Sequence, residues 1–483
     1  WHLWTNRFGT VHVYYASDGQ RAALGTFFPA VAAAASDRRL DWVGITGFFG
    51  SGFFPQDRTF YQDVRILRPA SHYVFDDQGI LQRERRYWNW WHRPDSHRSY
   101  DDTVAEFGSL FGEVMRDQAR EGRLALPISG GLDSRSTVAA LTRKDTESQA
   151  PIWAYSYGYM DDSVETRIAR RIAGARHLPL RRFTIKPYLF DQLDRVLAAV
   201  EGFQDVTQCR QAFVSDELAQ EADYVVAAHW GDVWLDDMGV AAQHQPSGQD
   251  DLLRHALNKM LKRGRHWLLE HVCRPHLDEE PDTVLREMVR DELARVEHLE
   301  DAGFRMKAFK TDQWSFRWTL ASLRMFQPGA FPRLPFYDTR LTDFFCSVPS
   351  EYVRGRRLQI DYLKRFAPDL AGITWQAWDA NLYRYQHFNT WMLPKRALKK
   401  AWRLLVRRRV VQRNWEVQFL NEQGRQGLEH WLVRPGLRLH DLVQPPATQR
   451  LLDDFYNEPG AANGYTVSML LTFSAWLEQY GSA

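Results

Sequence analysis

Val11 to Ala16 alternates apolar and polar positions and ends at Asp18-Gly19, the pattern of a half-buried strand closed by a turn. Tyr73 to Phe75, Asp76-Asp77-Gln78-Gly79 and Ile80 to Trp88 read as strand, turn and strand, one hairpin. Residues 1–95 are therefore predicted to be β-rich. Gly44, Gly47, Gly50 and Gly52 lack G-x-G-x-x-G spacing and a strand-to-helix context, which argues against a dinucleotide loop. The polar stretch His92 to Asp102 reads as a linker.

Past the linker the period changes. Thr103 to Arg120 is helical in pattern, and Leu124 to Ile128 is a short apolar run bounded by Gly122 and Gly130. Leu132 to Arg143 predicts a helix, Ile152 to Tyr157 a strand, Ser163 to Ala173 a helix, and Leu180 to Ile185 a strand. Helical stretches over Tyr188 to Val200 and Phe213 to Glu221 lead to another apolar strand, Tyr224 to Ala228. Strand and helix in alternation imply βαβ units and a parallel sheet. From Asp250 onward the pattern is helical, with turns at Pro275, Pro281, Pro328 and Pro368. No internal repeat or low-complexity tract is visible.

Composition narrows the classes. The chain has 483 residues, which at roughly 150 per domain predicts about two to four domains. Lys plus Arg number 62 and Asp plus Glu 60, a formal charge of +2, which argues against wholesale nucleic-acid binding. The aromatic content of 14% excludes full disorder, and 3 cysteines cannot build a disulfide framework. The longest apolar run, Phe27 to Ala35, is far short of the roughly 18 residues of a membrane helix. No secretory signal opens the sequence, so a cytoplasmic, reducing compartment is expected.

Ser129-Gly130-Gly131-Leu132-Asp133-Ser134 carries the strongest chemical signal. Its glycines permit φ > 0 and let a ligand approach the backbone. Their N–H groups, with those of the first helical turn, can nest an anion, and Ser129 and Ser134 add hydroxyl donors. A strand before and a helix after favour a phosphate site over a plain glycine turn. No Lys follows the glycines, which excludes a Walker A loop and suits a pyrophosphate leaving group better than γ-phosphoryl transfer. An acidic residue in an anion site, Asp133, calls for an intervening cation. Mg²⁺, held by a carboxylate or two plus phosphate oxygens, is the expected one.

This hexad resembles the pyrophosphate loop of the asparagine synthetase family, within the ATP pyrophosphatases. The flanks extend the resemblance. Asp57-Arg58-Thr59-Phe60 and Ile66-Leu67-Arg68-Pro69-Ala70 resemble the end of the family's N-terminal glutaminase domain, and Arg7-Phe8-Gly9 through Tyr14-Tyr15 an interior strand pair of it. Ser156-Tyr157-Gly158 resembles the second synthetase strand, and Glu165 through Ala173 the acidic residue and helix after it. Pro335-Phe336-Tyr337-Asp338, with Pro349, resembles the Pro-Phe-x-Asp segment. Gly231-Asp232 resembles the core of the Gly-x-Gly-x-Asp-Glu segment. Val233 replaces its Glu, and Asp236 and Asp237 are available to substitute; a solvated acidic turn is the alternative.

The resemblance implies an α/β synthetase domain of the adenine nucleotide alpha hydrolase type, a parallel sheet with helices, over residues 100–483 with a helical C-terminal part. A partial β-rich glutaminase-like domain of the N-terminal-nucleophile (Ntn) class would precede it over 1–95. The implied ligands are ATP and Mg²⁺. Asp133 and Asp232 would be the catalytic, metal-holding carboxylates, with Ser129, Gly130, Gly131, Leu132, Ser134 and Gly231 on the pyrophosphate. Adenine would lie near Ile128 and Ser156-Tyr157-Gly158. In the implied chemistry a carboxylate attacks the α-phosphate of ATP, giving an acyl-adenylate and pyrophosphate. Ammonia, free or from glutamine, or another amine then displaces AMP.

Departures from the family pattern move the acceptor away from aspartate. The family's Glu ahead of Arg-x-Pro-Phe aligns with Phe331, although Arg333 is kept; its C-terminal Lys falls near Trp378, with Lys364 and Arg365 close by. A different carboxylate is expected, with a glycan uronic acid as one candidate. The alternatives are a relative that forms an intramolecular amide, a lactam or peptide cyclase, and a nucleotide-binding scaffold without amine transfer. Cys209, Cys273 and Cys346 all lie in the synthetase part, so none matches the family's N-terminal nucleophile. The resemblance starts mid-domain and implies that roughly the first hundred residues of a glutaminase domain precede Trp1.

Four weaker signals remain. His266, Glu270, His271, Cys273 and His276 lack zinc-site spacing and read as a polar helix end. Lys395 to Arg413 holds nine basic residues around Leu398, Trp402, Leu405 and Val406. It reads first as a helix with one solvated face, then as a contact for an anionic acceptor or partner, and last as a peripheral membrane contact. His229 beside the second acidic loop reads as structural ahead of substrate contact. Trp88, Trp90 and Trp91 read as core or domain-interface residues.

Overall fold

A computed structural model of the chain describes residues 1–141, 151–240, 248–388, 390, 394, 397–398, 401 and 413–481. Strands β1 (His2–Trp4), β2 (Tyr14–Ser17), β3 (Ala22–Gly25), β4 (Val64–Ile66), β5 (Ser71–Phe75) and β6 (Leu81–Arg86) form two antiparallel sheets, in the orders β1-β5-β6 and β3-β2-β4. Both predicted turns form, each around an aspartate. Asp18 Oδ1 accepts from the amides of Gln20 and Arg21 (2.9 and 2.7 Å), and Asp76 Oδ1 from those of Gln78 and Ile80 (3.0 and 2.8 Å).

The glycines between these strands build a helix, Trp42–Ser51. Asp41 caps it through the Gly44 amide (3.1 Å), and Gly52 closes it in the left-handed region at φ 88°. Gly47 and Gly50 cost the helix about 1 kcal/mol each, but larger residues would not fit. A Cβ on Gly47 would stand 2.4 Å from Pro55, and one on Gly50 2.6 Å from Leu285.

Strands β7 (Leu124–Pro127), β8 (Ile152–Gly158), β9 (Leu180–Thr184), β10 (Tyr224–Val226) and β11 (Phe331–Arg333) form one sheet in the order β11-β10-β7-β8-β9, every neighbouring pair parallel. The chain runs outward from β7 through β8 to β9, then crosses to the other side of β7 as β10. That reversal makes the gap between β7 and β10 the switch point of the sheet, where ligands bind outside the carboxyl ends of the strands. β11 interrupts a stretch whose pattern predicts only helices. Pro332 at its centre lacks an N–H to give, which an edge strand tolerates.

The linker is strapped down: the Arg93 and Asp95 amides donate to the carbonyls of Cys346 and Ser347 (2.9 and 3.0 Å). The helix Tyr100–Gln118 starts where Ser99 Oγ accepts from the Asp102 amide (3.1 Å). The N-terminal part shares its core with the rest of the chain. Phe60 stacks on Trp476 of the C-terminal helix Ala461–Tyr480 at 3.7 Å, and Tyr61 Oη donates to the Tyr480 carbonyl (3.0 Å). Trp90 is buried, 5.8 Å from Trp234, with Nε1 on Asp312 Oδ1 (2.8 Å). Apolar contact runs unbroken from Phe8 to Leu477.

His266 to His276 lie on consecutive helical segments, as a polar helix end requires: Cys273 is buried, His271 stacks on Trp267 and His276 on Trp42. Most of the basic stretch 395–413 lies outside the described residues. Among the described residues, no helix is long and apolar enough to cross a membrane.

Candidate active site

The loop 129–132 links β7 to the helix Asp133–Ala140. Its serines close on each other: the Ser129 amide donates to Ser134 Oγ (3.1 Å), the two hydroxyls are 3.1 Å apart, and the Gly131 amide donates to Ser129 Oγ (3.2 Å). Neither Gly130 nor Gly131 has positive φ, so conformational freedom is not why glycine stands there. Close approach is. A Cβ on Gly130 would stand 2.1 Å from Gln376 Oε1, and the Gln376 amide donates to the Gly130 carbonyl (3.2 Å). Gln376 is delivered by Arg135, whose buried guanidinium donates to the carbonyls of Leu370, Ile373 and Thr374 (3.3, 2.9 and 2.8 Å). The side chain of Leu132 turns into the core, so only its backbone faces a ligand.

Across the switch point, β10 runs into Ala228-His229-Trp230 and the short helix Gly231–Trp234. Trp230 takes φ 80° there, an unfavourable region for a non-glycine residue. It is held by its Nε1 on Thr311 Oγ1 (3.1 Å) and by the Lys310 ammonium 5.5 Å from its ring. The turn brings Gly231 against Asp133: a Cβ on Gly231 would stand 2.8 Å from Asp133 Oδ1. Asp232 is exposed beside it.

Asp133 Oδ1 also accepts from Arg356 Nη1 (2.7 Å) and Gln359 Nε2 (3.1 Å). Arg356 reaches it from another left-handed position, φ 68° following Gly355 at φ 59°. Burial pushes the Asp133 carboxyl above its ordinary range; Arg356 pulls it down and Asp232 pushes it up again. Burial likewise lowers the Lys310 ammonium, against the pull of Asp232. Two neighbouring carboxylates, with Arg356 on one and Lys310 acting on the other, are an arrangement in which a divalent cation and an anionic ligand would relieve each other's charge.

Residues 106–478 match the Asparagine synthase family. The chain belongs to this family. A search of curated proteins finds no match. Family membership makes it a ligase-type enzyme of ATP-dependent amide formation, and the five-stranded parallel sheet with its helices is the α/β synthetase fold.

The remaining expected residues fall on the same end of the sheet. Ile128 is buried, with its amide on the Tyr155 carbonyl (2.8 Å). Ser156, Tyr157 and Gly158 form the carboxyl end of β8. Ser156 Oγ, near the carboxyl end of β8, and His229 Nδ1, just past β10, are buried with no hydrogen-bond partner among the described residues. Such orphaned polar atoms fit a site built for a nucleotide. Burial lowers His229 to about 4, with Arg210 adding to the shift, so its ring is neutral at pH 7.

Other expected positions lie elsewhere. Phe331 is exposed and pairs with Tyr224 at the amino end of the parallel sheet, opposite the loops. Arg333 lies over the Tyr224 ring at 3.5 Å. Lys364 pairs with Asp361 (3.1 Å), and Arg365 donates to the Asp101 carbonyl (3.2 Å). Trp378 stacks on Phe388 at 4.8 Å. Asp236 approaches Arg356 (3.9 Å) and Asp237 approaches Arg354 (3.5 Å). The three cysteines are free and buried; burial raises Cys273 and Cys346 to about 12 and Cys209 further. Sequence reasoning missed Arg356, Gln359, Lys310 and Gln376. Each is brought in from far along the chain, and a basic or amide residue on a helix carries no local signal of that.

Proposed function

We propose that the chain adenylates a carboxylate other than aspartate, a uronic acid of a glycan on our reading, and transfers ammonia or another amine to it. AMP and pyrophosphate are the other products. The observation that carries this reading is the meeting of Asp133 with Gly231-Asp232 at the switch point, beside the serine-glycine loop. The loop amides that the serine hydroxyls leave unengaged would donate to pyrophosphate oxygens, with the Ser129 and Ser134 hydroxyls beside them. Asp133 and Asp232 would hold Mg²⁺, which supplies charge neutralisation on the phosphates when bound. Arg356 and Lys310 supply the positive charge that a loop without Lys lacks. The neutral ring of His229 offers its unpaired Nδ1 to substrate. Adenine belongs at Ile128 and the end of β8.

On this reading residues 1–95 are the carboxyl part of an Ntn-type glutaminase-like domain and 100–483 the synthetase domain, working in the cytoplasm. ATP–pyrophosphate exchange over a panel of carboxylates tests the proposal. A uronate is expected to support exchange, and Asp133→Ala to abolish it. ATP binding without exchange on any carboxylate would leave only the scaffold reading. Comparing glutamine with ammonia then identifies the nitrogen donor.

A further inference from the structure

A cavity of about 610 Å³ lies where the N-terminal part, at Gly52, meets the helical C-terminal part, at Ala462 and Tyr465. Among the described residues four cations line it, Arg210, Lys262, Arg263 and Arg413, against one carboxylate, Asp205. That carboxylate is already committed: Oδ1 accepts from the Thr207 amide and hydroxyl (both 2.8 Å) and from Ser468 Oγ. Arg210 and Lys262 rest on rings, the guanidinium 5.2 Å from Tyr157 and the ammonium 4.9 Å from Trp314. Among the described residues Arg210 forms no ion pair, although Glu165 feels its charge. Like charges gathered in a recess are unfavourable until a ligand neutralises them, and burial already lowers Lys262. Trp318 and Trp415 line the same space, so aromatic side chains accompany the cations there.

Side-chain contacts lead from the cavity wall toward the acidic loops. Tyr159, on its wall, directly follows β8. From Lys262 a ladder of cations and indoles runs through Trp314 to Lys310 (5.3 Å) and on to Trp230 (5.5 Å), the residue before Gly231-Asp232. A ligand anchored at Lys262 could present a carboxylate at Lys310, beside the adenylating site.

We infer that this cavity is the acceptor site and that it selects a ring-bearing polyanion, one anionic group held by Arg210, Lys262 and Arg263 while another is activated. The inference rests on the amide-forming reading above and names its substrate class. A single carboxylate would leave most of the cationic wall unanswered.

The test uses the full chain and pyranine, a fused aromatic ring bearing several sulfonates, followed by fluorescence polarisation with ATP present. Pyranine is expected to bind, and Lys262→Met and Arg263→Glu each to weaken it about tenfold. Both variants should keep the wild-type melting temperature and ATP affinity, since neither side chain pairs with a carboxylate described in the fold. No pyranine binding, binding indifferent to both substitutions, or displacement by ATP alone overturns the inference. A second arm separates it from the reading beneath it. Should a carboxylate support exchange with its KM unmoved in both variants, the cavity assignment fails and amide formation stands. Should no carboxylate support exchange while pyranine still depends on Lys262 and Arg263, the polyanion site stands and the amide-forming reading fails.

Discussion

Asp133 and Gly231 touch across the switch point of the sheet: a methyl group on Gly231 would stand 2.8 Å from Asp133 Oδ1 and 2.8 Å from the Phe336 ring. The residue directly before Asp232 is thus glycine because a carboxylate and an aromatic ring occupy the space a side chain needs. Gly231→Ala is expected to push the two acidic loops apart. Overpacking should cost about 1–3 kcal/mol of stability, whereas exchange should fall about a hundredfold because the carboxylates proposed to hold metal shift. Full exchange activity in a folded Gly231→Ala protein would show that the loops do not act together.

The Asp133–Arg356 pair gives a prediction in which stability and activity part company. Their charge-assisted contact is 2.7 Å, with about a fifth of each side chain exposed on average (25% and 17%). Arg356→Met strands a carboxylate and Asp133→Asn strands a guanidinium, each costing about 1–2 kcal/mol after allowance for solvent screening. The double variant should be more stable than either single one, yet without exchange activity. Urea midpoints measure the first part, and additive losses would show that the pair is not coupled.

Arg135 has a structural task with a functional consequence. It is fully buried and satisfies three carbonyls between Leu370 and Thr374, the segment that lays Gln376 on Gly130. Arg135→Met leaves those carbonyls without a donor and should cost about 2–4 kcal/mol. Chemical denaturation of the variant checks this; a loss near zero would mean that water replaces the guanidinium.

His12 should make the protein acid-sensitive. Its Nε2 lies 2.7 Å from the Phe316 carbonyl. Burial, then Arg324 and Arg317, push its pKa well below the ordinary value, and the carbonyl only partly offsets them. The folded pKa is below the unfolded one, so the unfolded chain takes up a proton that the folded chain refuses. This contribution to stability is complete above about pH 6.5 and falls as pH drops below it. The melting temperature is expected to decline from about pH 7 to about pH 5, and His12→Gln, which keeps an N–H for the carbonyl, should flatten the decline. Parallel curves for the two proteins would assign the acid sensitivity elsewhere.

Local signals carried much of the architecture. β7 and β8 fall where apolar runs sit between turn residues, and the helix Val164–Ala175 that follows β8 begins where Ser163 caps it. The glycine helix Trp42–Ser51 was hidden because its glycines answer to Pro55 and Leu285, contacts that no local window contains. β11 was hidden for a similar reason: three residues with a central proline become a strand only because the edge of β10 is there to pair with.

The amino-acid sequence by itself determined the loop chemistry, the alternation that yields a parallel sheet, and the two acidic positions, since each rests on residues adjacent in the chain. Only the tertiary structure decided that Gly231-Asp232 comes against Asp133, that Phe331 stands at the far end of the sheet, and that Arg356 and Lys310 reach the two loops. The reason is topological. Strand order places the β7 and β10 loops side by side although about a hundred residues separate them, and a sequence pattern records periodicity but not which strand lies next to which.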